Sequence, residues 1–302
     1  MSESTAPSGP FTPSQKQILK IARKRVEKFV SIAPRLLVSD HPDTIHDIRV
    51  WSRRLQQITN LLFPKPRRSG SRKTIRALRN LRRQWGACRN LDVTLDLLKE
   101  LASAAADDPS RQAWNAVREG ASKLRAKEFV RARQGLRRFD LIDFIDTYRR
   151  LLNRVKPQRA LSSFGQSIEE SMAEWRDALG HAKNTRQPEQ LHVLRLAGKR
   201  LRYRLELLAD LGESNASLRV DSLKALQDRL GAWNDRHVLL EFVKKFIERR
   251  RFNTNRPGLY QTLISAIGSE RHRNDAAIPD ILEQAASMAA DTKKRPPRKL
   301  RS

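Results

Sequence analysis

Four side chains between Gln190 and Leu208 have the types and spacing of an anion receptor: His192, Arg195, Lys199 and Arg202. They fall at i, i+3, i+7 and i+10, so at about 3.6 residues per turn they project from one side of a helix. Arginine presents a planar fork that donates two parallel bonds to one phosphate, lysine supplies a mobile point charge, and histidine titrates near neutrality. Neighbours three or four positions apart on a helix stand about 5 to 6 Å apart, so such a face can hold several phosphates in series. Leu191, Leu194, Leu201, Leu205 and Leu208 form an adjoining apolar stripe, which predicts that a buried face holds the basic one rigid.

The pattern recurs. His46-Asp-Ile-Arg-Val-Trp-Ser-Arg-Arg-Leu55 matches His192-Val-Leu-Arg-Leu-Ala-Gly-Lys-Arg-Leu201 at an offset of 146, pairing His46 with His192, Arg49 with Arg195, Arg53 with Lys199 and Arg54 with Arg200. The following segment repeats at an offset of 145, where Leu78-Arg-Asn-Leu81 matches Leu223-Lys-Ala-Leu226 and Gly86 matches Gly231. A duplicated helical unit is the economical reading, with two helices and the break after them in each copy and the basic helices facing a shared cleft. Asn234 and Asp235, just past Gly231, read as a cap and turn where a helix restarts.

Between His46 and Asn90 there are 13 Lys and Arg but a single acid, Asp47, so ion pairs along the helices cannot neutralise this stretch. Arg72, Arg76, Arg79 and Arg83 make one stripe of it, beside an apolar stripe of Ile75, Leu78, Leu81 and Trp85. The whole chain of 302 residues carries a formal charge of +28, which calls for an anionic partner. Residues 291–302 supply +5, leaving +23 upstream, so the main anion affinity is expected in the folded part. Cys88, the single cysteine, excludes an intrachain disulfide and a multi-cysteine zinc site. No apolar run of membrane-spanning length and no leader pattern occurs, which predicts a soluble, cytoplasmic protein without membrane insertion.

The elements that must position these cations read as helices throughout. Helical periodicity covers Pro13 to Leu37, His46 to Phe63 with Asp40 or Asp43 as cap, Ser71 to Gly86, Arg89 to Ala105, Pro109 to Glu128 and Phe139 to Val155. A link is expected around Lys156 to Gly165. Helices then cover 165 to 182, the run after Pro188, Leu218 to Leu230, Asp235 to Arg250, Leu259 to Gly268 and Ala276 to Ala290. Residues 1–13 read as a flexible start and 291–302 as a basic, disordered tail.

Four ordered segments resemble those of the CHAD domain, the conserved histidine alpha-helical domain, over roughly Ser14 to Ala290. They are His46-x-x-Arg49-x-x-x-Arg53-Arg54, Leu81-x-x-x-x-Gly86-x-x-Arg89, His192-x-x-Arg195-x-x-x-Lys199-Arg200-x-Arg202-Tyr203 and Leu226-Gln-Asp-x-Leu230-Gly231-x-x-Asn234-Asp235. The resemblance implies an all-α fold of two pseudo-symmetric helical bundles, here 14–156 and 163–290, around a central basic cleft. It implies binding of inorganic polyphosphate and association with polyphosphate granules. Arg89-Asn90 stands where family members often show Arg-Asp, and Gln56-Gln57 where the second copy has Arg202-Tyr203. The segment before Ser14 is too short for the tunnel-type triphosphatase domain of some members, so the chain reads as the domain alone.

The candidate polyphosphate ligands are His46, Arg49, Arg53 and Arg54; then Arg72, Arg76, Arg79, Arg82, Arg83 and Arg89; and, in the second half, His192, Arg195, Lys199, Arg200, Arg202, Tyr203 and Lys224. Both histidines are expected to donate to phosphate in their protonated form. No catalytic residue, metal site or cofactor is expected, because no Gly-rich phosphate loop, His-Glu-x-x-His or nucleophile motif occurs. Two rival readings stay open: a nucleic-acid-binding helical protein, which shares the charge, and a polyphosphate hydrolase. Against a single-strand reader, the Phe, Trp and Tyr residues fall mostly on apolar stripes rather than between the cations.

Overall fold

Capping chemistry sets where most helices begin. The Ser14 hydroxyl accepts from the Gln17 amide at 3.2 Å and opens α1 (Gln15–Ile32), which a short α2 (Arg35–Val38) follows after a break at Ala33 and Pro34. Instead of Asp40 or Asp43, the cap of α3 (Pro42–Leu62) is His41, whose Nδ1 accepts from the Asp43 amide at 3.3 Å. Asp40 is occupied elsewhere, paired with Arg125 at 2.5 Å. After α4 (Gly70–Gln84) and α5 (Gly86–Ser103), Asp107 and Asp140 cap α6 (Asp108–Arg137) and α7 (Leu141–Arg154). The second half contains α8 (Gln158–Thr185), α9 (Pro188–Asp210), α10 (Ser214–Arg249), α11 (Phe252–Asn255), α12 (Pro257–Asp275) and α13 (Ile278–Lys294). Prolines occupy first turns of α3, α6, α9 and α12, where the missing N–H costs nothing. Gly212, at φ +100°, turns the chain from α9 into α10 in a conformation that a side chain would strain.

This computed structural model describes residues 11–64, 70–155 and 158–294, and among them the fold is all-α, with no β-strand. Several boundaries differ from the sequence reading. The break after the first pair of basic helices is real and sits at Trp85 (φ −86°, ψ 1°), between α4 and α5. In the second half there is none: α10 runs unbroken through Gly231 for 36 residues, about 54 Å at 1.5 Å per residue. Asn234 and Asp235 therefore lie mid-helix and are not a cap and turn. The expected link is helical from Gln158 onward, Lys156 and Pro157 lying outside the described residues. The expected tail is helical as far as Lys294, and 295–302 lie outside them. Of the expected flexible start, 1–10 lie outside, while Phe11 packs against the core.

Two apolar clusters hold the helices together, and each draws on both halves of the sequence. The larger joins α1, α3, α4, α7, α8, α9 and α13 to the C-terminal part of α6 and the first part of α10. The smaller joins α5, α11 and α12 to the opposite ends of α6 and α10. Leu223, Leu226, Leu230 and Trp233 of α10 lie in the first cluster, and Leu239, Leu240, Val243 and Ile247 in the second. Each such side chain contributes about 1.5–3 kcal/mol on burial. That outweighs the roughly 1 kcal/mol a mid-helix glycine costs, which is why Gly231 does not end α10. Cys88 is fully buried within the larger cluster.

Candidate functional site

Helices α3 and α9 form opposite walls of a cleft of about 580 Å³. From α3 come Arg49, Arg53, Gln56, Gln57 and Asn60, and from α9 His192, Arg195, Leu196, Lys199, Arg200, Tyr203 and Arg204. Each set follows a helical repeat of three and four, while the opposite faces, Ile48, Leu55 and Ile58 on α3 and Leu194, Leu201 and Leu208 on α9, are buried in the larger cluster. Arg82 of α4, Asn90, Val93 and Thr94 of α5, and Asn234, Asp235 and Val238 of α10 complete the lining. Among the described residues the lining holds seven Lys and Arg against one carboxylate, Asp235.

The cations are fixed by neutral groups more than by acids. The Arg49 guanidinium donates to the Arg82 carbonyl at 2.6 Å, and Arg82 donates to the Ser52 carbonyl at 3.1 Å and to the Gln56 side-chain oxygen. Arg53 donates to the Tyr203 hydroxyl at 3.0 Å and lies over its ring at 5.1 Å, a cation–π contact that orients it without neutralising it. Tyr203 is 9 % exposed, so it belongs to the core by its ring and to the cleft by its hydroxyl. Arg195, its side chain 14 % exposed, reaches Asp235 at 3.6 Å, and its buried Nε has no hydrogen-bond partner among the described residues. The His192 Nδ1 is 2.9 Å from the Asn234 side-chain oxygen, and Asn234 in turn donates to Asp235 at 3.2 Å. One connected set of α10 side chains thus orients both His192 and Arg195.

Electrostatic crowding follows. Burial, then the charges of Arg195 and Arg53, lower the Lys199 ammonium to about 7. Burial, then Arg53 and Arg49, lower Arg82 to about 10. Arg49 and Arg195 are lowered too, chiefly by burial. The arginines keep their charges in a place that resists them while Lys199 partly gives up its own, and a multivalent anion relieves that resistance.

The remaining candidates lie elsewhere. Arg202 stands about 80° around the helix from His192, outside the lining; it covers Tyr203 at 5.0 Å and its Nε is 3.3 Å from Glu206, though its charge reaches Lys199. Arg54 faces the far side of α3, over Trp51 at 5.0 Å and 3.9 Å from Glu206, in a separate hollow with Arg25 and Asp210. Arg200 lines the cleft's edge and pairs with Glu174 at 3.1 Å. Arg72, Arg76, Arg79, Arg83 and Lys224 are exposed outside the lining, although the charge of Arg79 acts on Arg82. His46 and Arg89 also lie outside it; burial and then Arg89 push the His46 imidazole below its usual value, which opposes the protonated state expected of it. The sequence reading missed Arg204, recognisable as the next turn after Arg200, and the roles of Asn234 and Asp235, which no local signal marks. Among the described residues no group of three or more His, Cys, Asp or Glu is placed to hold a metal ion, and no helix is long and apolar enough to cross a membrane.

The CHAD domain family model matches residues 20–244. Among solved structures, the CHAD domain of the plant Ricinus communis superposes with a TM-score of 0.66 at 17 % identity, covering 95 % of each chain. PptA from Streptomyces chartreusis does so with a TM-score of 0.63 at 16 % identity, covering 91 % of this chain and 100 % of its own. No curated protein matches the chain significantly in sequence. The family model takes in both walls of the cleft and the α10 residues that orient them, and the protein belongs to the CHAD domain family.

Proposed function

We propose that the chain binds inorganic polyphosphate, without turning it over, in the cleft between α3 and α9. The observation that carries this reading is the convergence of Arg49, Arg53, Arg82, Arg195 and Lys199 on a space with one carboxylate among its described lining residues. Partly buried guanidinium groups held by carbonyls and a tyrosine keep donors and charge for a ligand, and a phosphate polymer supplies acceptors at regular intervals. Family membership supports the same ligand, since CHAD domains bind inorganic polyphosphate. The proposal takes the domain as residues 14–290 built from two copies, 14–156 and 163–290, which is why α3 and α9 both bring matching cations, Arg49 and Arg53 opposite Arg195 and Lys199, to the cleft. A cytoplasmic location on polyphosphate granules belongs to it as well.

Calorimetric titration with tripolyphosphate and longer polyphosphates, with and without Mg²⁺, tests the reading. Binding with a 1:1 site is expected, weakened at least tenfold by Arg53→Gln with Arg195→Gln, as loss of two charge-assisted contacts of about 1.5–3 kcal/mol each predicts. Asp235→Asn, which removes the opposing carboxylate, is expected to tighten it by up to about fivefold. Displacement of bound polyphosphate by DNA at equal phosphate concentration, or release of orthophosphate on adding a divalent metal, would overturn it in favour of a nucleic-acid binder or a hydrolase.

A further inference from the structure

Lys199 is a primary amine set among guanidinium groups with no acid of its own. Its charged neighbours are Arg195, Arg200 and Arg202 on α9, Arg53 on α3 and Asp235 on α10. Asp235 is committed to Arg195 and Asn234, and among the described residues the Lys199 ammonium makes no hydrogen bond or ion pair. Two exposed lysines are held differently, Lys73 pairing with Asp143 at 2.8 Å and Lys123 with Glu119 at 2.6 Å. Lys199 nevertheless lines the cleft.

We propose that Lys199 is an acylation site for small acyl phosphates, the mixed anhydrides of a carboxylic acid and phosphoric acid. The proposal rests on the reading that this cleft takes phosphate anions. Arg53 and Arg195 attract the phosphoryl group, which brings the acyl carbon to the amine. The Lys199 nitrogen attacks that carbonyl carbon; an N–C bond forms, the C–O bond to phosphorus breaks, and phosphate leaves carrying the proton that the amine gives up. Negative charge developing on the carbonyl oxygen is stabilised by the surrounding guanidinium groups. The reacting species is the free amine, which an ordinary lysine with a pKa near 10.4 hardly populates at neutral pH. Burial and cation crowding, which bring Lys199 to about 7, populate it. The product amide is uncharged and occupies the cleft, so acylation removes a cation and lowers affinity for polyanions.

The test is site-resolved mass spectrometry of the intact chain incubated at pH 8 with acetyl phosphate or with uncharged phenyl acetate. Lys199 is compared with the exposed Lys16, Lys183 and Lys224. Acetyl phosphate is expected to label Lys199 at least about tenfold faster than these, because the free-base fraction is so much larger. The acetyl phosphate to phenyl acetate rate ratio is expected to be higher at Lys199 than at Lys183, and added tripolyphosphate should abolish the advantage. Equal labelling of Lys199 and the exposed lysines by acetyl phosphate would overturn the proposal, as would a donor ratio no higher than that at Lys183. If Lys199 is labelled selectively by acetyl phosphate while calorimetry shows no tripolyphosphate binding, acylation stands and the polyphosphate reading falls.

Discussion

A lysine with its pKa at about 7 is roughly half protonated at neutral pH, so an anion that enters beside Lys199 also draws a proton onto it. The free-state value is the depressed one and the bound-state value is higher. The Lys199 contribution to binding is therefore complete below about pH 7 and is lost as pH rises through the bound-state value. Tripolyphosphate affinity is expected to fall between pH 7 and 9 by about tenfold, one pKa unit being worth 1.36 kcal/mol. Proton uptake at pH 7.5, read from calorimetry in buffers of different ionisation enthalpy, should accompany binding. Lys199→Met should flatten the profile and abolish that uptake; a steep profile in the variant would move the effect to another group.

At the scale of the element, two helix-interior glycines, Gly198 in α9 and Gly231 in α10, meet opposite surroundings. A Cβ on Gly198, where α9 crosses α8 and α10, would lie 2.7 Å from the Gln227 side-chain nitrogen and 3.3 Å from the Trp175 indole nitrogen. Both of those side chains are buried, so Gly198→Ala is expected to destabilise the fold by about 1–3 kcal/mol. Gly231, inside α10, has nothing within 4 Å of its Cβ position. Gly231→Ala is expected to stabilise by up to about 1 kcal/mol, because it removes a helix-interior glycine without a clash. Urea unfolding of the two variants checks both signs. A destabilised Gly231→Ala would mean that the helix needs a break there after all.

For the molecule as a whole, the free cleft is a concentration of like charge held together by the two apolar clusters around it. Anything that binds the folded state alone adds stability, about 2.7 kcal/mol at a ligand concentration of 100 Kd. At about 2–4 °C per kcal/mol for a fold of this general size, saturating tripolyphosphate should raise the melting temperature by roughly 5–10 °C. Sodium chloride should raise it less, through screening, and should diminish the polyphosphate increment. Arg53→Gln with Arg195→Gln should lose most of that increment while melting no lower than the parent without ligand, since each removes a self-repelling charge. A full increment in this double variant would locate the binding outside the cleft.

Sequence by itself determined most of the helical segments, their apolar faces and the basic stripes on α3, α4 and α9, because helical periodicity is a local property of spacing. It brought His192, Arg195 and Lys199 to one face of α9, and Arg49 and Arg53 to one face of α3. Tertiary structure alone decided which cations meet. Arg82 turns into the cleft because Ser52 and Gln56 on α3 receive it, while Arg72 and Arg76 on the same helix stay exposed. Arg54, next to Arg53 in sequence, falls on the other side of α3. Asn234 and Asp235 looked like turn residues beside a glycine, and only the burial on both sides of Gly231 keeps α10 whole and aims them at His192 and Arg195. The lowered pKa of Lys199 is partly of that origin: Arg195 and Arg202 on its own helix are visible from spacing, but the burial that lowers it most and the charge of Arg53 come from long-range packing, with Asp235 of α10 acting against them.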